Sequence, residues 1–220
     1  MLNNWEPRFE QFARESMSAG RSANAPADPA HDMAHIHRVV ANVRQLARSE
    51  GADPAVALPA AWLHDCVVVP KDSPERAQAS RLAAAAAGTF LRKAGYPLRL
   101  IPAIEHAIAA HSFSAGIPPE TLEAKVVQDA DRLDALGAIG IARTLLLGGT
   151  MGLPLYDPAE PLPRSRIPDD RAYVIDHFYT KLLKLAAMMH TAAGRREGER
   201  RTRLMRTYLE ELARELGAGA

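Results

Sequence analysis

A chain of 220 residues is long enough to bury one sizeable core, and no break in composition divides it into two equal ones, so one domain with an appendage is expected. Apolar residues make up 47% and aromatics only 5%, a leucine- and alanine-rich balance that favours helix-on-helix packing over aromatic-rich sheets. The formal net charge of +1 excludes a global demand for nucleic acid or an anionic membrane, and the single cysteine, Cys66, excludes an intramolecular disulfide and a four-cysteine zinc site.

The opening MLNNWEPRFEQF has neither the basic lead nor the apolar core of a signal peptide, and no run approaches the roughly 20 apolar residues that cross a bilayer. Cytoplasmic localisation with no membrane partner is therefore the expectation. Trp5, Phe9, Phe12 and Met17 recur at helical spacing and predict a leading helix to about Ala19, followed by a polar loop over 21–30. Asp32 is a suitable N-cap for a second helix that carries Ile36, Val39, Val40, Val43 and Leu46 as far as Gly51. His35 lies one turn before Val39, on the interior face.

Asp53 and Pro54 open a third segment that carries Val56, Trp62 and Leu63 and runs into His64-Asp65, with Pro59 expected to kink it or delay its start. After a turn over 71–74, an alanine-rich helix is predicted over 75–95 and another over 97–111 around Ile101, Ile104 and Ile108. From Glu120, apolar periodicity through Val126, Ala130, Leu133 and Ile139 predicts one or two helices ending at Gly148-Gly149. Residues 151–170 are Pro-rich and aperiodic and read as a long irregular connection. Two last helices, over 171–190 and 196–216, complete the pattern, the second dense in Arg and Glu and mostly solvated. The expected fold class is thus all-α, with residues 1–150 as the core and 151–220 as a C-terminal extension of the same domain.

Taken alone, His64-Asp65 is a common dipeptide. It is preceded by an Asp-x-x-His-x-x-Arg-Val unit, Asp32 to Val39, and followed by Ala-Asp-Arg-Leu-Asp, Ala130 to Asp134. The order His35, then His64-Asp65, then Asp131 resembles the HD superfamily of metal-dependent phosphohydrolases over roughly residues 20 to 150. The wording HDMAHIHRV, WLHDC, IEHAIAAHSFS and VVQDADRLDALGAIGIAR is similar to a bacterial HD subfamily of nucleotide phosphohydrolases, whose C-terminal helices resemble HFYTKLLKL here. The resemblance implies an HD-type helical bundle in which His35, His64, Asp65 and Asp131 are the metal ligands. HD enzymes that act on the alarmone ppGpp carry an acidic pair shortly after the dyad. Here Val67, Val68 and Val69 follow Cys66, which argues against that substrate.

Two imidazoles and two carboxylates suit one borderline divalent ion, Mn²⁺ as first choice with Fe²⁺, Co²⁺, Ni²⁺ and Mg²⁺ as alternatives. Such an ion lowers the pKa of bound water and polarises a phosphoryl group, so no nucleophilic side chain is required. The expected partner is a small phosphorylated substrate, a nucleotide or nucleoside triphosphate, with no nucleic acid polymer; oligomeric state is not legible. A phosphodiesterase acting on cyclic or linear nucleotides, or a metal- or nucleotide-binding module without turnover, are the competing readings.

Around the ligands, Asp65, His106 and His111 are candidate catalytic groups, and Arg38, Lys71 and Arg132 candidate substrate contacts. His106 and His111 are five apart, about 140° around an ideal helix, so they are not expected to clasp one ion and read instead as phosphate contacts or general acids. Each has an ordinary alternative, a satisfied core histidine for the first pair and a salt bridge or solvated turn for the cations. His31-Asp32 also spells HD, but Asp32 reads as a helix cap.

Overall fold

The computed structural model describes residues 4–19, 32–69, 73, 77–112 and 115–217. Lys71 and His31 lie outside them. The described residues form nine α-helices and no strand: α1 Glu6–Ala19, α2 Met33–Glu50, α3 Pro54–Leu63, α4 Ala79–Ala94, α5 Ile101–His111, α6 Leu122–Asp134, α7 Gly137–Thr150, α8 Asp176–Thr180 and α9 Ala192–Glu215. Short 3₁₀ turns cover Leu98–Leu100 and Leu182–Met188. No single helix among the described residues is long and apolar enough to cross a membrane. Contacts divide the chain into two compact units, one up to Asp131 and one from Arg132 onward.

The helix ends of the first unit follow from capping chemistry. The Asp32 carboxylate accepts the His35 amide at 2.8 Å, and Gly51, at φ 78°, returns its N–H to the Ala47 carbonyl. Asp53 accepts from the Ala55 amide at 2.8 Å with Pro54 in the first turn of α3. α3 is the centre of the unit: every residue from Val56 to Leu63 is buried, and α1, α2 and α5 pack around it. A helix that is apolar all round has only an interior to occupy.

Pro59 sits inside α3 and neither ends it nor delays its start. A proline cannot donate to the carbonyl four residues earlier, which here belongs to Ala55. The Tyr96 hydroxyl supplies the missing donor, at 2.6 Å from the Ala55 oxygen. Burial pushes the Tyr96 phenol up to about 12, so it remains a donor throughout the physiological range. Its ring meets Trp5 edge-on at 4.9 Å and Phe9 at 5.8 Å, which ties α1 to the same point.

In the second unit, α7 and the turn Leu182–Met188 both pack on α9. α9 buries a stripe of Gly194, Gly198, Thr202, Met205, Leu209 and Ala213 and exposes its charges. Gly198 permits this: a Cβ there would stand 3.3 Å from both Cα and Cβ of Ala186. The segment over 151–170 is irregular, as its composition predicts, and the irregular chain continues to 175, but it is tied down by polar contacts. Asp176, fully buried, accepts a two-pronged hydrogen bond from Arg166 and the amide of Asp169 at 2.6 Å. Glu160 accepts backbone amides from Arg164 and Ser165, both at 2.6 Å, which hold its carboxyl down at about 2. The single helix predicted over 171–190 is instead the short α8 and a 3₁₀ turn, parted at Lys181, whose φ of −133° and ψ of −61° break the helix.

Two stability predictions follow from these contacts. Tyr96→Phe keeps the ring and removes the donor, and is expected to cost about 1–3 kcal/mol in denaturant melts. In a Pro59→Ala background, where residue 59 regains an N–H for Ala55, the same change should cost measurably less. Asp176→Ala removes the buried carboxylate that accepts from Arg166 and the Asp169 amide, leaves Arg166 only Asp157 and the Glu160 carbonyl, and is expected to lower stability by about 1–3 kcal/mol, read as a fall in Tm.

Candidate metal centre

His35 enters the first turn of α2, where the Asp32 cap fixes the backbone, and its ring is 2% exposed. α3 closes at Leu63, so His64 and Asp65 follow directly from the most buried helix of the unit, and the Cys66 amide returns to the Leu63 carbonyl at 3.2 Å. The His64 ring is completely buried, whereas the Asp65 side chain is 23% exposed. Asp131 approaches from α6, 30% exposed, and His111 from the last residue of α5.

These side chains converge. His35 Nε2 stands 3.2 Å from His64 Nε2, 3.4 Å from Asp131 Oδ1 and 3.8 Å from Asp65 Oδ2. His64 Nε2 is 3.6 Å from Asp65 Oδ2 and 4.0 Å from Asp131 Oδ1. The other oxygen of Asp65, Oδ1, faces His111 Nε2 at 3.5 Å. The imidazoles make a buried floor, and the two carboxylates line the solvent side.

Hydrogen bonds fix which nitrogens carry lone pairs. His64 donates Nδ1–H to the Ala61 carbonyl at 2.8 Å, so its neutral ring presents a bare Nε2 to the cluster. Burial, reinforced by the neighbouring His111 and His35 and opposed by Asp65, pulls the His64 pKa down to about 4, so the ring is neutral at pH 7. His111 donates Nδ1–H to the Ile108 carbonyl at 2.6 Å. Burial lowers its pKa as well, but the hydrogen bond to Asp65 and the charges of Asp65 and Asp131 outweigh that and leave it raised.

The donor set fits a divalent cation. Octahedral ligands about 2.1 Å from an ion stand about 3.0 Å apart when adjacent and about 4.2 Å when opposite. His35 Nε2 and His64 Nε2 stand 3.2 to 4.0 Å from each other and from the Asp65 and Asp131 oxygens they face, inside that interval. Without a cation, the bare nitrogen of His64 faces oxygens of two carboxylates, Asp65 and Asp131. The chemistry of two nitrogens and two oxygens is that of a borderline divalent ion.

Of the remaining sequence candidates, His106 and Arg132 are committed elsewhere. His106 Nε2 accepts the Glu120 amide at 3.1 Å, which commits that nitrogen to the loop before α6 and leaves the ring out of the cluster. Arg38 is half-buried on α2, three residues beyond His35. Arg132 donates Nη1–H to the Met188 carbonyl at 2.6 Å. Asp134, 1% exposed, pairs with Arg143 at 2.6 Å. His37 meets Glu10 at 3.2 Å, away from His35.

Two buried amides that sequence reasoning passed over brace the cluster. Asn42 Nδ2 donates to the Ala130 carbonyl at 3.1 Å, just before Asp131, and Gln128 Nε2 donates to the Ala110 carbonyl at 2.6 Å, just before His111. Asn42 lies two turns beyond His35 on the same helix face, a spacing that marks a polar residue on an otherwise apolar stripe. Asn42→Ala is expected to weaken Mn²⁺ binding by about 10- to 100-fold in calorimetric titration, the loss typical of a support behind a ligand.

The comparisons with known proteins bear on this centre. Residues 33–136 match the model of the HD domain, and that span contains all five clustered side chains. The chain is 31% identical over 190 residues to YpgQ of Bacillus subtilis (strain 168), an uncharacterized protein, with 84% of each covered. Among solved structures, an HD-superfamily hydrolase from Bacillus thuringiensis superposes with a TM-score of 0.76 at 32% identity, covering 99% of this chain and 100% of that one. Bacillus subtilis YpgQ, crystallised in complex with ADP, superposes with a TM-score of 0.70 at 30% identity, covering 94% and 97%. On sequence and fold together, the chain belongs to the HD-domain family.

Proposed function

We propose that the protein is a divalent-metal-dependent phosphohydrolase that acts on a small phosphorylated substrate, a nucleotide and in the first place a nucleoside triphosphate. The observation that carries this reading is the convergence of His35, His64, Asp65 and Asp131 into one cluster, with buried imidazoles behind and part-exposed carboxylates in front. A purely structural ion is normally closed in by its ligands, whereas this arrangement leaves a solvent side. The ADP bound by the Bacillus subtilis relative supports a nucleotide as ligand.

In this reading those four residues hold one ion, Mn²⁺ as first choice. When bound, such an ion supplies a water of lowered pKa and polarises the phosphoryl group. The chain's own residues do the rest. The Ala61 carbonyl keeps the His64 proton on Nδ1, so the lone pair of Nε2 stays directed at the centre. Asp65 turns one oxygen to the ligand cluster and the other to His111, whose basicity its hydrogen bond and charge raise, and His111 Nε2 is assigned to give a proton to the departing phosphate oxygen. Arg38 is assigned to phosphate oxygens, and Arg132 and His106 to the framework they hydrogen-bond. The activity is placed in the cytoplasm, in keeping with a lone buried cysteine.

A matrix of divalent metals against nucleoside mono-, di- and triphosphates, with product identification, tests the reading. Metal-dependent release of phosphate or pyrophosphate is expected, abolished by chelation and restored by Mn²⁺, and Asp65→Ala should lower it by at least about 10³-fold. His111→Asn should retain Mn²⁺ binding and lose about 10²- to 10⁴-fold in kcat. No hydrolysis of any nucleotide with any metal would remove the proposal.

A further inference from the structure

The two segments that deliver His35 and His64 meet a second time beside the metal centre. His37 on α2 and Trp62 on α3 each stand two residues from one of those histidines. Their rings pack edge-on with centroids 5.1 Å apart, as the His35 and His64 rings do at 5.3 Å. Positions two apart on a helix lie about 200° apart around its axis, so the two ring pairs are rungs on opposite sides of the α2–α3 contact.

Both members of the outer rung are held by one face of α1. Trp62 Nε1 donates to Glu6 Oε2 at 3.0 Å, and His37 Nε2 stands 3.2 Å from Glu10 Oε1. Glu6 and Glu10 are four residues apart, hence one above the other on that face. Each carboxylate also meets a guanidinium: Glu6 pairs with Arg44, two turns beyond His37 on α2, and Glu10 with Arg14 at 2.9 Å. Burial works against the Glu6 charge, but the hydrogen bonds from Arg44 and Trp62 and the Arg44 charge outweigh it and hold the carboxyl below its usual range. Attaching α1 does not require these carboxylates, because Phe9, Ala13 and Met17 already bury its apolar face. Apolar burial has no direction, whereas hydrogen bonds to a charged group fix one geometry.

We propose that α1 is a clamp on the metal centre, in which Glu6 and Glu10 grip Trp62 and His37 and so set the spacing of His35 and His64 on the other rung. Glu6 and Glu10 are positioning residues that act through the rings they hold. His64 keeps helical backbone angles, so a shift of Trp62 reaches it through one intervening residue of continuous helix, and a shift of His37 reaches His35 in the same way. A ligand set tolerates only about 0.5 Å of misplacement, so a small splay of α2 from the end of α3 withdraws one of the two nitrogens. The consequence for metal binding rests on the metal reading above; the placement of the two rings is a property of the metal-free chain and is measured there as well.

The test compares full-length variants. Glu6→Ala with Glu10→Ala opens both grips, and Glu6→Gln with Glu10→Gln keeps an oxygen that accepts from Trp62 and from His37. Phe12→Ala loosens α1 elsewhere, by removing the ring stacked on Phe90 at 4.1 Å. In calorimetric titration with Mn²⁺ the alanine pair should bind at least about tenfold more weakly than wild type, the glutamine pair within about threefold of it, and Phe12→Ala within about twofold although its Tm falls. In metal-free protein the imidazole nitrogen resonances of His35 and His64 should move in the alanine pair and stay in place in Phe12→Ala. Unmoved resonances in the alanine pair would overturn the clamp, as would wild-type Mn²⁺ affinity in that variant or an equal loss of affinity in Phe12→Ala. Wild-type protein that binds no Mn²⁺ removes the metal reading instead, and the resonances then decide the clamp by themselves.

Discussion

The lone pair on His64 Nε2 depends on the burial of an entire helix. α3 is apolar on every side, so the unit closes around it, and the residue that follows its last turn has nowhere to go but the interior. A histidine delivered there is forced neutral by desolvation, and the Ala61 carbonyl takes the one proton it keeps. What remains is a nitrogen base inside the protein, facing His35 and two carboxylates. The other helices are braced against this point: α2 by the Asp32 cap, and α6 and α5 by the Asn42 and Gln128 amides that hold the carbonyls beside Asp131 and His111.

The same burial explains the division of labour within the cluster. Imidazoles lose little when removed from water in the neutral form, so they can form a dry floor; carboxylates lose far more and stay at the part-exposed side. Asp65 joins the two regimes, one oxygen toward the His35 and His64 nitrogens and the other toward His111. Both rings are buried, yet His64 is displaced downward by desolvation, while at His111 desolvation is outweighed by the hydrogen bond and charge of Asp65.

Local chemistry made much of this legible in the sequence. Asp32, Asp53 and Gly51 mark helix ends where the caps form, whereas the set His35, His64, Asp65 and Asp131 is implied by resemblance to the HD superfamily rather than by local chemistry. What failed to show were effects that need a second segment. Pro59 reads locally as a breaker, and its tolerance depends on Tyr96, 37 positions on. The Pro-rich stretch over 151–170 reads as slack, and its order depends on Asp176 and Glu160. The 3₁₀ turn after Lys181 has the apolar spacing of a helix, and only its backbone angles tell them apart. In the sequence His111 reads against His106 on its own helix, whereas the residue it meets, Asp65, follows the end of α3.

Anomalous diffraction from crystals grown with Mn²⁺ tests the central claim most directly. A single strong manganese peak bounded by His35 Nε2, His64 Nε2 and oxygens of Asp65 and Asp131, each about 2.2 Å away, is the predicted result. A fully occupied manganese at another position, or crystals saturated with Mn²⁺ and no peak among these four residues, would contradict it.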